Sequence, residues 1–205
     1  LFLYFLQGAT LGLSASATPG PFQAFLLSQT LKNGWRHTLP AALAPLISDG
    51  PIVFFVLLLL TQTSNSLLDT LRIAGGLFIL YLAYGTAKSI RQAIATPQAT
   101  TESSRRSVLN GALMNALSPG PYIFWSVLAG PIVLEGWRQS PLLGVSFVLG
   151  FYGTLIGGFA AFVILFATTS QLGPRVRYIL NIVSAIALLI FGLYQLWTGL
   201  INFLG

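Results

Sequence analysis

Cysteine is absent from the 205 residues, which removes disulfides, thiolate metal sites and thiol redox chemistry together. Charge is nearly as scarce: Asp, Glu, Lys and Arg make up 7% of the chain, against about 25% in an ordinary soluble domain. That is too little to cover a globule in water, so a soluble fold is excluded and an integral membrane protein remains. Only four acids and one histidine are present. The first residues carry neither a basic leader nor a small-residue cleavage site, so no signal peptide is expected. The apolar/polar alternation of a membrane β-barrel is missing as well, which leaves helices.

What the chain has instead is apolar length, with 55% hydrophobic residues and a mean hydropathy of +0.80. A helix needs roughly 20 apolar residues to cross a hydrocarbon core. Six stretches qualify, near residues 2–31, 39–61, 67–91, 107–133, 141–168 and 175–204. Polar breaks such as KNGWRH, TQTSNS and EGWRQS separate them, and a linker covers residues 92–106. Lys32 and Arg36 fall in the first loop, Lys88, Arg91, Arg105 and Arg106 around the third, Arg175 and Arg177 in the fifth. Only Arg72 and Arg138 lie on the other side, near Asp69 and Glu135. The positive-inside bias therefore places loops one, three and five in the cytoplasm and both termini outside. This distribution also accounts for the pI near 10.1 without a nucleic-acid partner; the partners expected are lipid and a small solute.

Two nearly identical words stand 100 residues apart: ATPGPFQAF from Ala17 and LSPGPYIFW from Leu117. Each is followed by a Gly-Trp-Arg mark, at Gly34–Arg36 and Gly136–Arg138, and LRIAGGLFILYLAYG from Leu71 has a looser counterpart from Leu180. The chain thus reads as two three-helix halves, residues 1–91 and 107–205, within one transmembrane domain. Three crossings are an odd number, so the second half enters from the opposite side. The expected fold is an all-α polytopic membrane protein: six transmembrane helices in two inverted three-helix repeats, with Pro-Gly-Pro breaks in the first and fourth helices. Inverted repeats recur among secondary transporters.

Proline lacks an N–H and clashes with the carbonyl four residues back. Pro19 and Pro21 are expected to free the carbonyls of Ala15 and Ala17, and Pro119 and Pro121 those of Asn115 and Leu117, while Gly20 and Gly120 let the backbone turn. Unwound backbone at membrane depth survives only inside protein or beside a watery cavity. Breaks at matching places in both halves therefore suggest a shared midplane site. Thr18 and Ser118 supply hydroxyls there, Gln23 and Asn115 amides, and Phe22, Tyr122 and Trp125 apolar walls. A hydroxyl in such a helix also bonds its own backbone readily.

Asp49, in LISDGPIVFF, is the one charge placed at membrane depth, where an acid costs roughly 2.5–3.5 kcal/mol on insertion scales. It either holds a substrate ammonium or carries a coupling proton; the plainer reading is a structural acid capped by Ser48 or by freed backbone. Pro45, Gly50 and Pro51 surround it and should make its helix irregular. No cofactor is expected. A single deep acid does not make an aspartyl protease, and His37, in a loop, is in the wrong layer to serve a serine enzyme. A metal-cation exporter, which would want several deep acids or histidines, and a non-transporting scaffold are the rival readings. Gly8/Gly12 and Gly153/Gly157 each form a GxxxG, a close-packing face within the bundle or in a homodimer. Trp35, Trp137 and Trp197, near segment ends, read as interfacial anchors.

Taken together, ATPGP in the first helix, Asp49 in the second and LRIAGGLFILYLAYGTAKSIR in the third resemble the LysE-type amino-acid exporters. The resemblance runs over essentially the whole chain and is strongest in residues 5–91. It implies a six-helix inner-membrane exporter that moves amino acids or similar metabolites outward against inward proton flow, with no ATP-binding part and no catalytic residues. Thr18, Pro19, Gly20, Pro21 and Asp49 carry over as site residues; Gln23, Asn115, Ser118, Pro119, Gly120, Pro121 and Tyr122 join them from the reading of the breaks. Many members have an Asn-Pro-Lys-like word at the fourth-helix break, where this chain has Ser118-Pro119-Gly120-Pro121. The family name therefore does not fix the substrate.

Overall fold

The computed structural model describes residues 1–59, 65–95, 103–169 and 174–204. These residues are helical almost throughout. Helix α1 (Phe2–Ala17) stops at the first Pro-Gly-Pro word and α2 (Pro21–Asn33) starts within it. Gly34, at φ 80°, ends α2 in a backbone region that side chains rarely adopt. The short α3 (Trp35–Thr38) and a 3-10 stretch (Leu39–Leu43) lead into α4 (Ala44–Leu59). Helix α5 (Asn65–Ala95) is followed by α6 (Ser104–Leu117), which ends at the second Pro-Gly-Pro word. The chain resumes at once in α7 (Pro119–Ile123), widens to π-helical turns over Phe124–Ala129 ahead of Pro131, and continues as α8 (Gly130–Gln139). The long helices α9 (Pro141–Thr169) and α10 (Pro174–Leu204) complete the chain.

Three of these stretches are long and apolar enough to cross a membrane: Trp35–Val56, Pro141–Thr168 and Tyr178–Asn202. Ser104–Leu117 and Pro119–Gln139 make a fourth if the two are taken as one span bent by 56°. The outer surface is rich in large apolar side chains, among them Phe54, Leu77, Val127, Leu149 and Leu193, as lipid contact requires. An all-helical, polytopic membrane protein follows. The middle of the linker at 92–106 lies outside the described residues, as do most of the turns expected after the second and fifth segments.

Packing follows two seams. Helix α1 lies along α9, and α5 along α10. At the first seam Gly8 faces the Phe147 carbonyl, Gly12 the Phe151 carbonyl, and Gly150 the Phe5 carbonyl, so closely that a Cβ at any of them would collide with backbone. Thr154 donates across the seam to the Ala9 carbonyl at 2.8 Å. Gly158 meets the Ser16 side chain in the same row. The packing row of α9 is thus 150–154–158. Gly153 and Gly157, one position out of phase, are exposed and face open space; the GxxxG they spell is not a bundle contact. The Gly-Trp-Arg marks also differ in structure. Gly34 breaks its helix, whereas Gly136 sits inside α8, pressed against Tyr4, and the chain breaks only at Ser140 ahead of Pro141.

Asp69, 5% exposed, pairs with Arg72 at 2.6 Å and accepts a longer bond from Asn202 at 3.3 Å, tying the start of α5 to the end of α10. Trp35, Trp137 and Trp197 all have exposed rings.

Candidate functional site

At the first word the break is open. Thr18 closes α1 through its N–H to the Ser14 carbonyl at 3.0 Å, Gly20 is fully extended, and Pro21 occupies the first turn of α2, where its missing N–H costs nothing. At the second word a single residue, Ser118, leaves the helix, and its N–H reaches back only three residues to the Asn115 carbonyl at 3.2 Å.

Three carbonyls around the breaks, those of Ser16, Thr18 and Ala116, are taken up by the protein's own side chains. Gln23, from beyond the first break, donates to the carbonyls of Ser16 at 3.0 Å and Thr18 at 2.5 Å. Tyr122, from beyond the second, donates to the carbonyl of Ala116 at 2.9 Å. Ser16 and Ala116 stand 100 residues apart, the spacing of the words themselves. The expectation that the Asn115 carbonyl is left free is overturned, because the tight turn at Ser118 uses it. The carbonyls that needed outside donors include Ser16 and Ala116. The reason is that one proline of each word, Pro21 in the first and Pro119 in the second, starts a new helix rather than interrupting a continuous one, which leaves unmatched acceptors at the end of the preceding helix. The hydroxyls expected at the breaks also bond helix backbone: Thr18 to the Ser14 carbonyl and Ser118 to the Met114 carbonyl, both at 2.7 Å.

Asp49 lies on α4, 4% exposed. Its Oδ1 accepts from the Asn115 amide at 2.6 Å and its Oδ2 from the Tyr152 hydroxyl at 3.0 Å. The same Asn115 amide donates to Ser48 Oγ at 2.8 Å, and Ser48 Oγ in turn donates to the Ala44 carbonyl at 3.2 Å. The Trp125 indole is a further polar neighbour of the carboxylate. The acid of α4 is thus held by donors from α6 and α9. Despite Pro45, Gly50 and Pro51, α4 is continuous through Asp49; the irregular backbone expected near it lies earlier, in the 3-10 stretch.

A partly open cavity of about 310 Å³ lies between the two breaks, at the lower end of the range for small-molecule pockets. Thr18, Pro19, Gly20 and Gln23 line it from the first break, Gly120 and Pro121 from the second, with Asp49 and Asn115 between them. Pro21, Ser118, Pro119 and Tyr122 are not in its lining. Phe22 and Trp125 form walls as expected residues; Phe124, Phe151, Leu155 and Phe159 join them. Tyr152 was not legible as a partner of Asp49. A tyrosine buried among phenylalanines must place its hydroxyl somewhere, but nothing in the local pattern says where.

Long apolar helices, two Pro-Gly-Pro breaks and a partly open space of solute size with one acid on its wall describe a polytopic membrane protein with a solute-sized cavity. Residues 13–199 match the LysE type translocator family, and the chain belongs to it. It is therefore a membrane transporter, not an enzyme. The chain is 27% identical over 207 residues to the protein named "Putative amino acid efflux protein YcgF" of Bacillus subtilis (strain 168), an alignment that covers 98% of this chain and 99% of that one. No solved structure matches the chain.

Proposed function

We propose that this transporter exports amino acids or related small metabolites by alternating access at a midplane site, with proton coupling. The observation that carries the reading is the cavity that reaches both Pro-Gly-Pro breaks and Asp49 at once. The family and the name of the similar efflux protein support the substrate class. In this reading residues 1–91 and 107–205 are inverted three-helix halves, six spans in all, and the breaks act as hinges between them. Asp49 takes the substrate ammonium or the coupling proton. Thr18 to Pro21, Gln23, Asn115 and Ser118 to Tyr122 shape and hold the site. Loops one, three and five lie in the cytoplasm and both termini outside, an orientation that the distribution of Lys and Arg supports, in the inner membrane. The outward-facing Gly153 and Gly157 leave a small-residue face on α9 that suits a homodimer.

The test is efflux of labelled amino acids from proteoliposomes with and without an imposed pH gradient. Export that responds to the gradient, and that loses this response in Asp49→Asn, is the expected result. Flux that is identical with and without the gradient in both proteins sinks the coupling; no flux for any of a broad amino-acid panel sinks the export reading.

A further inference from the structure

Resting on the export reading, we infer that the cavity selects amino acids with an apolar side chain, of leucine or phenylalanine size, over those whose side chain ends in a charge or a hydrogen-bonding group. Three features converge on this. First, Asp49 is the only ionisable side chain in the lining. One carboxylate matches the α-ammonium common to all amino acids and leaves no counter-ion for the second ammonium of lysine, which would be stranded in an apolar wall.

Second, the polar donors nearby are already committed. The Thr18 hydroxyl donates to the Ser14 carbonyl, the Gln23 amide to Ser16 and Thr18, and the Asn115 amide to Ser48 and Asp49. A substrate side chain seeking donors would have to displace one of these bonds, so an acceptor there brings little gain.

Third, the remaining wall is continuous and apolar. Phe151, Leu155 and Phe159 recur every four residues and form one stripe of α9. Phe22 packs on Phe159 with ring centres 4.8 Å apart, and Phe124 on Phe151 at 5.2 Å. These rings pack against one another into a surface. With the ammonium at Asp49, which Tyr152 ties to α9, the side chain of the substrate has this stripe beside it.

The full chain is reconstituted into vesicles loaded in turn with labelled leucine, phenylalanine, alanine, serine or lysine at equal concentration, and initial efflux is compared with that of Asp49→Asn. One methylene more or less in an apolar pocket is worth roughly 10–200-fold in selectivity. Leucine and phenylalanine should therefore outrun serine and lysine at least about tenfold, with alanine between. In Leu155→Ser the leucine-to-serine ratio should fall several-fold; being a ratio, it is unaffected by poorer folding or reconstitution. Lysine or serine moving as fast as leucine, in an Asp49-dependent way, overturns the selectivity and leaves export standing. An unchanged ratio in Leu155→Ser overturns the assignment of the α9 stripe. Flux that is the same in Asp49→Asn overturns this inference and leaves export standing; no flux for any of the five overturns the export reading and this inference together.

Discussion

Replacing Gly12 with alanine inserts a methyl group where α1 and α9 already touch. The added carbon would run into the Phe151 carbonyl and the Thr154 hydroxyl, and neither is the loose end of a flexible side chain. The two helices must separate. Overpacking of this kind costs typically 1–3 kcal/mol. Separation also stretches the Thr154–Ala9 bond, 2.8 Å long, and a bond of that type contributes about 0.5–1.5 kcal/mol. The sum is about 1.5–4.5 kcal/mol, which for a chain of this length lowers the melting temperature by roughly 3–18 °C. Gly153→Ala is the matched comparison, since a Cβ there meets nothing within 4 Å. Alanine is the better helix former by about 0.5–1 kcal/mol, so that variant should melt at or slightly above the parent. Both are read from tryptophan fluorescence of detergent-purified protein at one fixed scan rate, because membrane proteins often unfold irreversibly. Equal shifts for Gly12→Ala and Gly153→Ala would refute the idea that the 150–154–158 row is the tight seam and the 153–157 row an open face.

Gln23→Leu removes the amide that serves the Ser16 carbonyl in a 6% exposed setting. It should cost about 1–3 kcal/mol, seen as a lower melting temperature; a parental value would mean the break does not depend on this tether. Tyr152→Phe keeps the ring but deletes the donor to Asp49 Oδ2. Initial efflux should drop about tenfold, the equivalent of one bond of about 1.4 kcal/mol, with a stability loss of about 1–3 kcal/mol from the buried carboxylate left short of a donor; an unaltered rate would show the bond to be idle. Asp69→Ala removes the partner of Arg72 and Asn202. Since the Arg72 side chain keeps 23% exposure, the loss should be about 1–3 kcal/mol, below the full figure for a buried pair, again measured by melting.

Much of the site's outline was legible because proline acts locally. A Pro-Gly-Pro word forbids continuous helix whatever surrounds it, so both breaks could be placed to within a residue or two. Asp49 was legible for a similar reason: an acid in an apolar run has no local partner. What was not legible depends on rotation about helix axes. Gly153 and Gly157 have the same spacing as Gly8 and Gly12, yet one step of α9, about 100°, separates the row that meets α1 from the row that faces outward. Tyr152 turns toward Asp49 by that same rotation. The carbonyl accounting failed at Asn115 for a different reason. It treated each proline as an interruption of one helix, whereas Pro21 and Pro119 sit where a new helix begins, and the acceptors left over belong to the helix before. The Gly-Trp-Arg marks show that a shared word need not mean a shared backbone, since only Gly34 adopts positive φ.

The tethers change what the breaks can contribute. Had the freed carbonyls faced the cavity unmatched, they would have been the obvious ligands for a cation or an ammonium. Gln23 and Tyr122 bond the Ser16 and Ala116 carbonyls instead; in the proposed reading the breaks then supply shape and bending, and Asp49 is the group that binds a positive charge. That carboxylate is on α4, and its two side-chain donors, Asn115 and Tyr152, come from α6 and α9. A ligand ammonium or a proton arriving at Asp49 must share or take an oxygen that now accepts one of them. Occupancy of the carboxylate and the tie between α4 and the α6/α9 pair are therefore linked: whatever binds Asp49 weakens a contact across the proposed boundary between halves. By the reciprocity of linked equilibria, a change in how α4 sits against α6 and α9 must alter the affinity of Asp49 by the same factor, which is the coupling that alternating access needs.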